Sequence, residues 1–403
     1  MSQCPMHDFP LPRSNSEFDP PREYDLLRRE EPIAKVRMWD GRNAWICTRY
    51  DDVRDVLTSP HFSAMPSSPG YPLLTAARQA QVNAYQTFIT MDPPDHTRFR
   101  RMLAKEFMVK RMETLRPMVQ GALDGIFDDM EKGSQPCDLI EAMALPLPSL
   151  AISLMLGVPY EDAPRLQEWS AQRNDLTIAP ERVKAAHQNM FDYLDRFLTE
   201  KERNPGDGDG LVSRLVIEQI QPGHLQHVDA VHMINLLYIA GHETTANQIG
   251  LGTLSLLADP EQRALVQADP ALMKNAVEEM LRFHTIVQYN SCRAATSDVE
   301  IGGQLIKAGE GVYALLSAAD RDPAVFPDPG RFDVARANAN RHMAFSFGIH
   351  TCLGHPLARL ELEVVFASLF KRFPKLELAV PVDQVSFKQG AFVHGLAMLP
   401  VRW

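Results

Sequence analysis

The apolar residues of this chain recur at helical spacing over most of its length and alternate only over short segments. The pattern is helical over residues 113–203, with short breaks, and the longest helical run covers residues 228–257. Strands are predicted over residues 33–39 and 44–48, on either side of a four-residue turn, and again over residues 385–401. The pattern therefore predicts many helices and a few short strands.

One loop-forming segment precedes a strongly helical one near the C-terminus. Residues 345–354 have the pattern F-x-x-G-x-x-x-C-x-G, in which glycine can supply a positive φ and a close backbone approach. Pro356 suits the first turn of the helix that follows. Cys352 is therefore expected where a loop meets a helix, and backbone amides and the positive helix end favour its thiolate. A thiolate held in this way is a suitable axial ligand for haem iron, whereas the common fate of a free cysteine is a buried structural thiol.

Two basic residues share one face of a predicted helix in the first third of the chain. The helix begins near His96, where Asp95 can act as the cap. Arg100 follows four residues after His96, so the two side chains lie on the same helix face. Basic groups at this spacing suit a carboxylate or phosphate ligand, although a solvated basic face has the same pattern.

The longest predicted helix has the central sequence Ala240-Gly241-His242-Glu243-Thr244-Thr245. A glycine inside a helix costs about 1 kcal/mol relative to alanine, so Gly241 predicts either a close approach to a neighbour or a local opening of the helix. Glu243 and Thr244 offer an acid and a hydroxyl that could relay protons. The alternative for Thr244 is a hydrogen bond back to its own helix.

Glu279 and Arg282 form an E-x-x-R pair on one face of a further helix. Such pairs are common on protein surfaces, where they contribute less than about 1 kcal/mol. A Pro-rich segment over residues 326–332 follows later in the chain and contains Arg331.

The composition is that of an ordinary globular protein, with 403 residues of which 45% are hydrophobic and 23% are charged. No stretch resembles an apolar span of about 20 residues, and the N-terminus has no secretory signal pattern, so we expect a cytoplasmic protein without membrane attachment. The five cysteines are widely spaced and odd in number, which argues against a disulfide framework or a zinc site. The net charge of −10 argues against nonspecific nucleic-acid binding.

These motifs, in this order, resemble the cytochrome P-450 family over nearly the whole chain. The resemblance implies a mainly α fold with small β-sheets, in a single domain over residues 1–403. It implies haem b as the cofactor, between the helix around Gly241 and the helix after Cys352, with Cys352 as the ligand of the iron. The implied reaction inserts one oxygen atom from O2 into a small organic substrate, with Glu243 and Thr244 guiding protons.

The resemblance also assigns sets of residues by position. The residues assigned to the haem are His96, Arg100, Ala240, Gly241, Arg293, Phe345, Gly348, His350, Cys352 and Gly354. The residues assigned to the substrate pocket are Phe88, Ile239, Val287, Gln288, Tyr289, Phe392 and Val393. A structural triad joins Glu279 and Arg282 to Arg331. Gln288 and Tyr289 either favour a substrate with polar groups or are solvated or hydrogen-bonded to the backbone.

The electron donor separates two functional hypotheses. No flavin or iron–sulfur module is visible, so the resemblance implies a ferredoxin-type redox partner and its reductase. However, segments such as residues 9–13 and 40–45 look like the fungal nitric oxide reductase branch of the family, whose members take electrons directly from NADH. Basic groups receive the dinucleotide in that branch, but the corresponding residues 64–70 include no Lys or Arg, and the branch lacks the acid that Glu243 provides. Monooxygenase is therefore the first hypothesis and NADH-dependent nitric oxide reductase is the alternative; peroxide-driven oxidation and a haem gas sensor rank below both.

Overall fold

The computed structural model describes residues 6–13, 18–80, 86–174, 179–388 and 393–403. The chain forms two compact units, each of which combines segments that are distant in the sequence. The first unit consists of Met1–Thr97, Ala258–Leu353 and Phe387–Gly395. The second unit consists of Arg98–Leu257, Gly354–Ser386 and Leu396–Trp403. The single domain implied by the family resemblance stays a prediction.

Helices dominate the described residues, as the spacing of the apolar positions predicts. In chain order the helices are α1 (Glu23–Glu30), α2 (Tyr50–Thr58), α3 (Ala76–Ala80), α4 (Asp95–Ala104), α5 (Val109–Lys132), α6 (Pro146–Leu156), α7 (Ala163–Asn174), α8 (Pro180–Arg203), α9 (Leu211–Leu215), α10 (His227–Ala258), α11 (Pro260–Ala268), α12 (Met273–His284), α13 (Leu316–Ala319) and α14 (His355–Arg372). The strands are β1 (His7–Asp8), β2 (Ile33–Arg37), β3 (Asn43–Cys47), β4 (Phe62–Ser63), β5 (Cys137–Asp138), β6 (Cys292–Ala295), β7 (Val299–Ile301), β8 (Gln304–Ile306), β9 (Gly311–Ala314), β10 (Glu377–Leu378), β11 (Ser386–Phe387), β12 (Leu396–Met398) and β13 (Pro400–Arg402). The predicted mainly α fold with small β-sheets is therefore confirmed.

The first unit is built on a six-stranded sheet with the strand order β1-β2-β3-β9-β6-β4. β1 and β2 are parallel, as are β3 and β9, and the other neighbours are antiparallel. Trp45 and Cys47 of β3 pack into one buried cluster, whereas Ala44 and Ile46 pack into another. Because side chains alternate across a strand, this sheet is buried on both faces, which explains the unbroken apolar run of β3.

The second unit is mostly helical, and α10 is 32 residues long. Two glycines of α10 lie against isoleucine side chains. A Cβ at Gly241 would be 3.3 Å from atoms of Ile152, and a Cβ at Gly250 would be 2.6 Å from Cδ1 of Ile140. α10 is continuous through Gly241, so the close approach predicted there is confirmed and the local opening is not observed. Among the described residues, no helix is both long and apolar enough to cross a membrane.

A buried cluster of charges in the first unit corrects the predicted triad. The side chains of Glu279 and Arg282 are fully buried, and hydrogen bonds of 2.7 and 2.8 Å join them. The third member is Arg336, whose Nε lies 3.1 Å from both carboxylate oxygens of Glu279. Arg331 is exposed and only its carbonyl takes part, as an acceptor for Arg282 and Arg336. The prediction of Arg331 was therefore wrong, because the Pro-rich segment presents carbonyl groups rather than its side chain to the pair.

We expect Arg336→Met to lower the free energy of unfolding by about 3–5 kcal/mol, because it removes a cation from a buried carboxylate. Arg331→Ala should change the free energy of unfolding by less than about 0.5 kcal/mol, since it removes only an exposed side chain. Urea unfolding of both variants, followed by circular dichroism, measures the difference. Equal effects of the two substitutions would contradict the assignment of Arg336 to the cluster.

Candidate functional site

The loop that carries Cys352 is closed by hydrogen bonds within its own backbone. The Cys352 N–H donates to the Phe345 carbonyl at 2.8 Å. The N–H and the hydroxyl of Thr351 both donate to the Gly348 carbonyl. α14 begins three residues after Cys352, with Pro356 in its first turn. The predicted junction of loop and helix is confirmed, and Cys352 is exposed there.

Two positions of this loop have a left-handed backbone, Ser346 with φ 63° and Gly348 with φ 73°. L-residues rarely adopt this conformation, because it costs them about 1–2 kcal/mol, whereas glycine adopts it freely. Gly348 has a second reason to be glycine, because a Cβ there would lie 2.7 Å from the Leu57 carbonyl oxygen. The glycine of the sequence motif therefore satisfies both a backbone and a packing requirement.

Two of the predicted haem residues meet in the first unit. The rings of His96 and His350 lie 4.3 Å apart between centroids and are inclined by 49°. His96 is 2% exposed and stands near the start of α4, where Arg100 follows four residues later. That spacing places His96 and Arg100 on one face of the helix, as the sequence predicts.

Arg293 is a buried cation on β6. Its side chain is 6% exposed, and Nη1 donates to the Cys292 carbonyl at 2.8 Å. Burial lowers the pKa of the Arg293 guanidinium. Among the described residues this is the one hydrogen bond of the guanidinium, and no carboxylate forms an ion pair with it. Because a buried charge is expensive without a partner, this position fits an anionic ligand group.

The centre of α10 presents small and polar groups in the second unit. Ala240 is exposed, while Gly241, Glu243 and Thr244 are half-buried. The Thr244 hydroxyl donates to the Ala240 carbonyl at 2.6 Å, so the backbone hydrogen bond offered as an alternative for this threonine is present. Its oxygen can still accept a hydrogen bond. The arrangement is therefore compatible with a proton relay.

Four of the apolar pocket candidates lie within the described residues. Phe88 is buried and Ile239 is half-buried. Val287 pairs with Val393 in an isolated antiparallel bridge of the first unit. Phe392 lies outside the described residues. The assignment of these residues to a substrate pocket stays a prediction.

The two polar pocket candidates have other roles in the first unit. Gln288 donates from Nε2 to the Thr285 carbonyl at 3.0 Å, and its Oε1 accepts from Arg13 at 3.0 Å. The ring of Tyr289 packs edge-on against Phe9 at 5.4 Å and joins the core beside the sheet. The backbone hydrogen bond foreseen for Gln288 is therefore present, and the assignment of Gln288 and Tyr289 to the substrate pocket stays a prediction.

Three residues that fix this part of the chain were missed from the sequence. Arg336 completes the charge cluster, and Asp320 and His342 hydrogen-bond to the backbone just before Phe345. Their only sequence signal is proximity to the motifs, since His342 lies three residues before Phe345. The tertiary contacts that give them these roles are not encoded by periodicity.

Comparisons with known proteins identify the family. The family model described as cytochrome P-450 matches residues 19–398. The chain is 46% identical to cytochrome P-450-SU2 of Streptomyces griseolus, over 96% of this chain and 94% of that protein. The crystal structure of GfsF, a protein of Streptomyces halstedii, is 41% identical and has a TM-score of 0.94, covering 98% of this chain and 100% of that one. The mycinamicin VIII C21 methyl hydroxylase of Micromonospora griseorubida is 37% identical, with a TM-score of 0.91 over 99% and 100% of the two chains. This chain belongs to the cytochrome P-450 family.

The protein is accordingly a monooxygenase, an oxidoreductase with a haem-thiolate cofactor, a separate redox partner and a small-molecule substrate. Relatives that are 40–46% identical come from Streptomyces and Mycobacterium, whereas a cytochrome P-450 of Fusarium lichenicola is 38% identical. A closer resemblance to the fungal nitric oxide reductase branch is therefore not shown, and that alternative function is not supported.

We expect Gly348→Ala to reduce haem content and to lower the free energy of unfolding by about 3 kcal/mol or more, because it combines a left-handed backbone with a steric clash. Gly41→Ala is the matched control, since Gly41 has φ 80° and nothing within 4 Å of a Cβ. Gly41→Ala should lower the free energy of unfolding by about 1–2 kcal/mol and should keep its haem. Thermal unfolding and the ratio of haem to protein absorbance measure the two effects, and identical behaviour of the variants would refute the steric argument.

Proposed function

We propose that this monooxygenase binds haem b through Cys352 and a set of basic residues and hydroxylates an apolar organic substrate. The observation that carries the proposal is the buried Arg293 guanidinium, which forms no ion pair with a carboxylate among the described residues and feels the charge of Asp92 only at longer range. The propionate groups of a haem are anions of the required kind. The absence of C-x-x-C-H from the sequence supports haem b rather than a covalently attached haem.

Cys352 and four basic residues fit separate tasks in binding the haem. Cys352 would be the ligand of the iron, and the bound haem would supply the activation of dioxygen, which a thiolate ligand favours. His96, Arg100, Arg293 and His350 would hold the propionates by charge-assisted hydrogen bonds. These assignments rest on the exposed thiol and on the buried guanidinium.

Further residues would shape the space for the haem. Ala240 is exposed and has only a methyl group, so it would leave room for a flat ring, whereas Gly241 would contribute its backbone, since Ile152 lies next to the position of its missing Cβ. Phe345, Gly348 and Gly354 define the course of the loop around Cys352, through its hydrogen bonds and its left-handed backbone positions.

Glu243 and Thr244 would supply protons to the reaction. Glu243 is half-buried, so its side chain is in part accessible to solvent. The Thr244 hydroxyl is oriented by its bond to the Ala240 carbonyl, which leaves the lone pairs of Oγ1 to accept a further hydrogen bond. A carboxyl and an oriented hydroxyl on adjacent residues form a short path for proton transfer.

The segment over residues 64–70 supports a separate electron donor. The carboxylate of Asp92 accepts hydrogen bonds from the Ser63 hydroxyl and the Ala64 N–H, and Ser63 is in turn bonded to Ser68. A carboxylate at this place repels the phosphates of NADH, since like charges at short range are unfavourable. The same region in a protein that receives NADH directly would instead need positive charge.

A surface of the second unit supports a ferredoxin-type donor with its own reductase. Met108 and Val109 are 57% and 64% exposed at the start of α5, and the exposed Arg101 and Lys110 lie near them in the sequence. Exposed apolar residues beside positive charge are typical of an interaction surface. On a protein with net charge −10, such a local positive surface would steer an acidic partner.

The substrate class rests on the apolar character of the pocket candidates Phe88, Ile239, Val287 and Val393. The amide of Gln288 is hydrogen-bonded to the Thr285 carbonyl and to Arg13, so it gives no support to a polar substrate. One relative is named as a methyl hydroxylase of mycinamicin VIII, which supports hydroxylation of a carbon–hydrogen bond as the reaction here. We therefore propose a predominantly apolar substrate.

We expect Arg293→Met to weaken haem retention markedly, because it removes the cation that would face a propionate. Arg37→Met is the control, since Arg37 is an exposed arginine of the same sheet. Transfer of haem to an excess of apomyoglobin should be at least about tenfold faster for Arg293→Met, the factor expected from loss of one charged hydrogen bond. Equal transfer rates for the two variants would remove the main support for the propionate site.

For proton delivery, we expect Thr244→Ala and Glu243→Ala to slow product formation by about 10²–10⁴-fold, with electrons diverted to hydrogen peroxide and substrate binding unchanged. Thr253→Ala is the matched control, because the Thr253 hydroxyl also donates to the carbonyl four residues earlier in α10. Product, peroxide and electron consumption are measured with a ferredoxin and its reductase.

The control should behave as the wild type. Unchanged coupling of electrons to product in both the Thr244 and Glu243 variants would exclude them as the proton path. A control that loses coupling as the Thr244 variant does would show that the effect is not specific to the centre of α10.

A further inference from the structure

The backbone that leads into the Cys352 loop is held by side chains of the first unit. The Tyr50 hydroxyl donates to the Arg341 carbonyl at 2.7 Å. The Met343 N–H donates to Oδ1 of Asp320 at 2.7 Å. The Ala344 N–H donates to Nδ1 of His342 at 3.1 Å. Three backbone groups within four residues are therefore fixed immediately before Phe345, whose carbonyl binds the Cys352 N–H.

The contacts of His342 define its protonation state. A backbone N–H can only donate, so Nδ1 of His342 must be the acceptor and carry no proton. The proton of the neutral ring is then on Nε2, which lies 3.0 Å from Oε2 of Glu278. The side chain of His342 is 2% exposed. Glu278 therefore accepts from Nε2–H and orients the ring, so that the opposite nitrogen faces the Ala344 N–H.

The contact between Glu278 and His342 is one of two links between α12 and the residues before Phe345. Glu278 belongs to α12, next to Glu279 of the buried charge cluster. Asp320 binds both the Met343 N–H and the hydroxyl of Thr285, which directly follows α12. The end of α12 is thus linked twice to the residues that begin the loop, once through His342 and once through Asp320.

We propose that Glu278 and His342 are positioning residues for the iron ligand. The carboxylate orients the imidazole, the imidazole holds the Ala344 N–H, and this fixes the Phe345 carbonyl that binds the backbone of Cys352. The inference rests on the proposed role of Cys352 as the haem ligand. Neither Glu278 nor His342 touches the reacting atoms in this scheme, and their effect is on the geometry with which the thiolate is presented.

The test uses the holoprotein and two pairs of variants. His342→Leu removes the acceptor, whereas His342→Asn restores one, because an asparagine side chain accepts from the N–H two residues later in the chain. Glu278→Ala removes the group that orients the ring, whereas Glu278→Gln keeps an acceptor for Nε2–H. The measurement is the ratio of thiolate-ligated to thiol-ligated forms in the spectrum of the reduced carbon monoxide complex, at equal haem content.

We expect the ratio to fall about tenfold in His342→Leu and by a smaller factor in Glu278→Ala, since one hydrogen bond changes an equilibrium by about this factor. His342→Asn and Glu278→Gln should stay close to the wild type. If His342→Leu does not retain haem, the comparison of Glu278→Ala with Glu278→Gln tests the positioning role.

The outcomes separate this inference from the function on which it rests. A wild-type spectrum without a thiolate band would remove Cys352 as the ligand and the inference with it. A normal wild-type band, with the same ratio in the Ala and Gln variants of Glu278 or with equal losses in the Leu and Asn variants of His342, would overturn the positioning role alone.

Discussion

The path of the Pro-rich segment in the first unit depends on the ion pairs of the buried Glu279 carboxylate. Two guanidinium groups, those of Arg282 and Arg336, bind it in the interior. Their other N–H groups donate to backbone carbonyls at positions 320, 327, 328, 329 and 331. This Pro-rich stretch has no helix or strand among its described residues, so its carbonyls need donors from elsewhere. The charge cluster therefore organises a segment that satisfies only part of its own backbone, through the Arg331 N–H and the Asp328 carbonyl.

Two glycines of α10 show which features of the fold can be predicted from the sequence. A glycine inside a helix predicts a close neighbour, and Gly241 indeed has Ile152 against it. The identity of that neighbour, and the still closer approach of Ile140 to Gly250, depend on how α10 packs against other elements. Periodicity predicts α10 to within one residue at each end because the signal is long and local.

The error in the charge cluster lies where a role depends on the path of an irregular segment. Glu279 and Arg282 are three residues apart on one helix, so their pairing is predictable. Whether Arg331 or Arg336 reaches them is decided by the turns of a Pro-rich loop, for which spacing carries no information. The hydrogen bonds of Gln288 depend on the path of the chain in the same way, since it follows the left-handed residue Thr285 (φ 38°) that ends α12. Its amide returns to the Thr285 carbonyl.

Asp320 shows why a carboxylate binds the backbone before the Cys352 loop, although burying its charge is unfavourable. Burial raises the pKa of Asp320 from 3.8 to about 6, so its contribution to stability is largest at low pH and decreases as the pH rises over that interval. Two units of pKa correspond to about 3 kcal/mol. However, two donors converge on this side chain, the Thr285 hydroxyl and the Met343 N–H. A carboxylate offers an acceptor oxygen to each, whereas an amide offers only one. The electrostatic cost at neutral pH is therefore the consequence of joining the end of α12 to the residues that lead to Cys352.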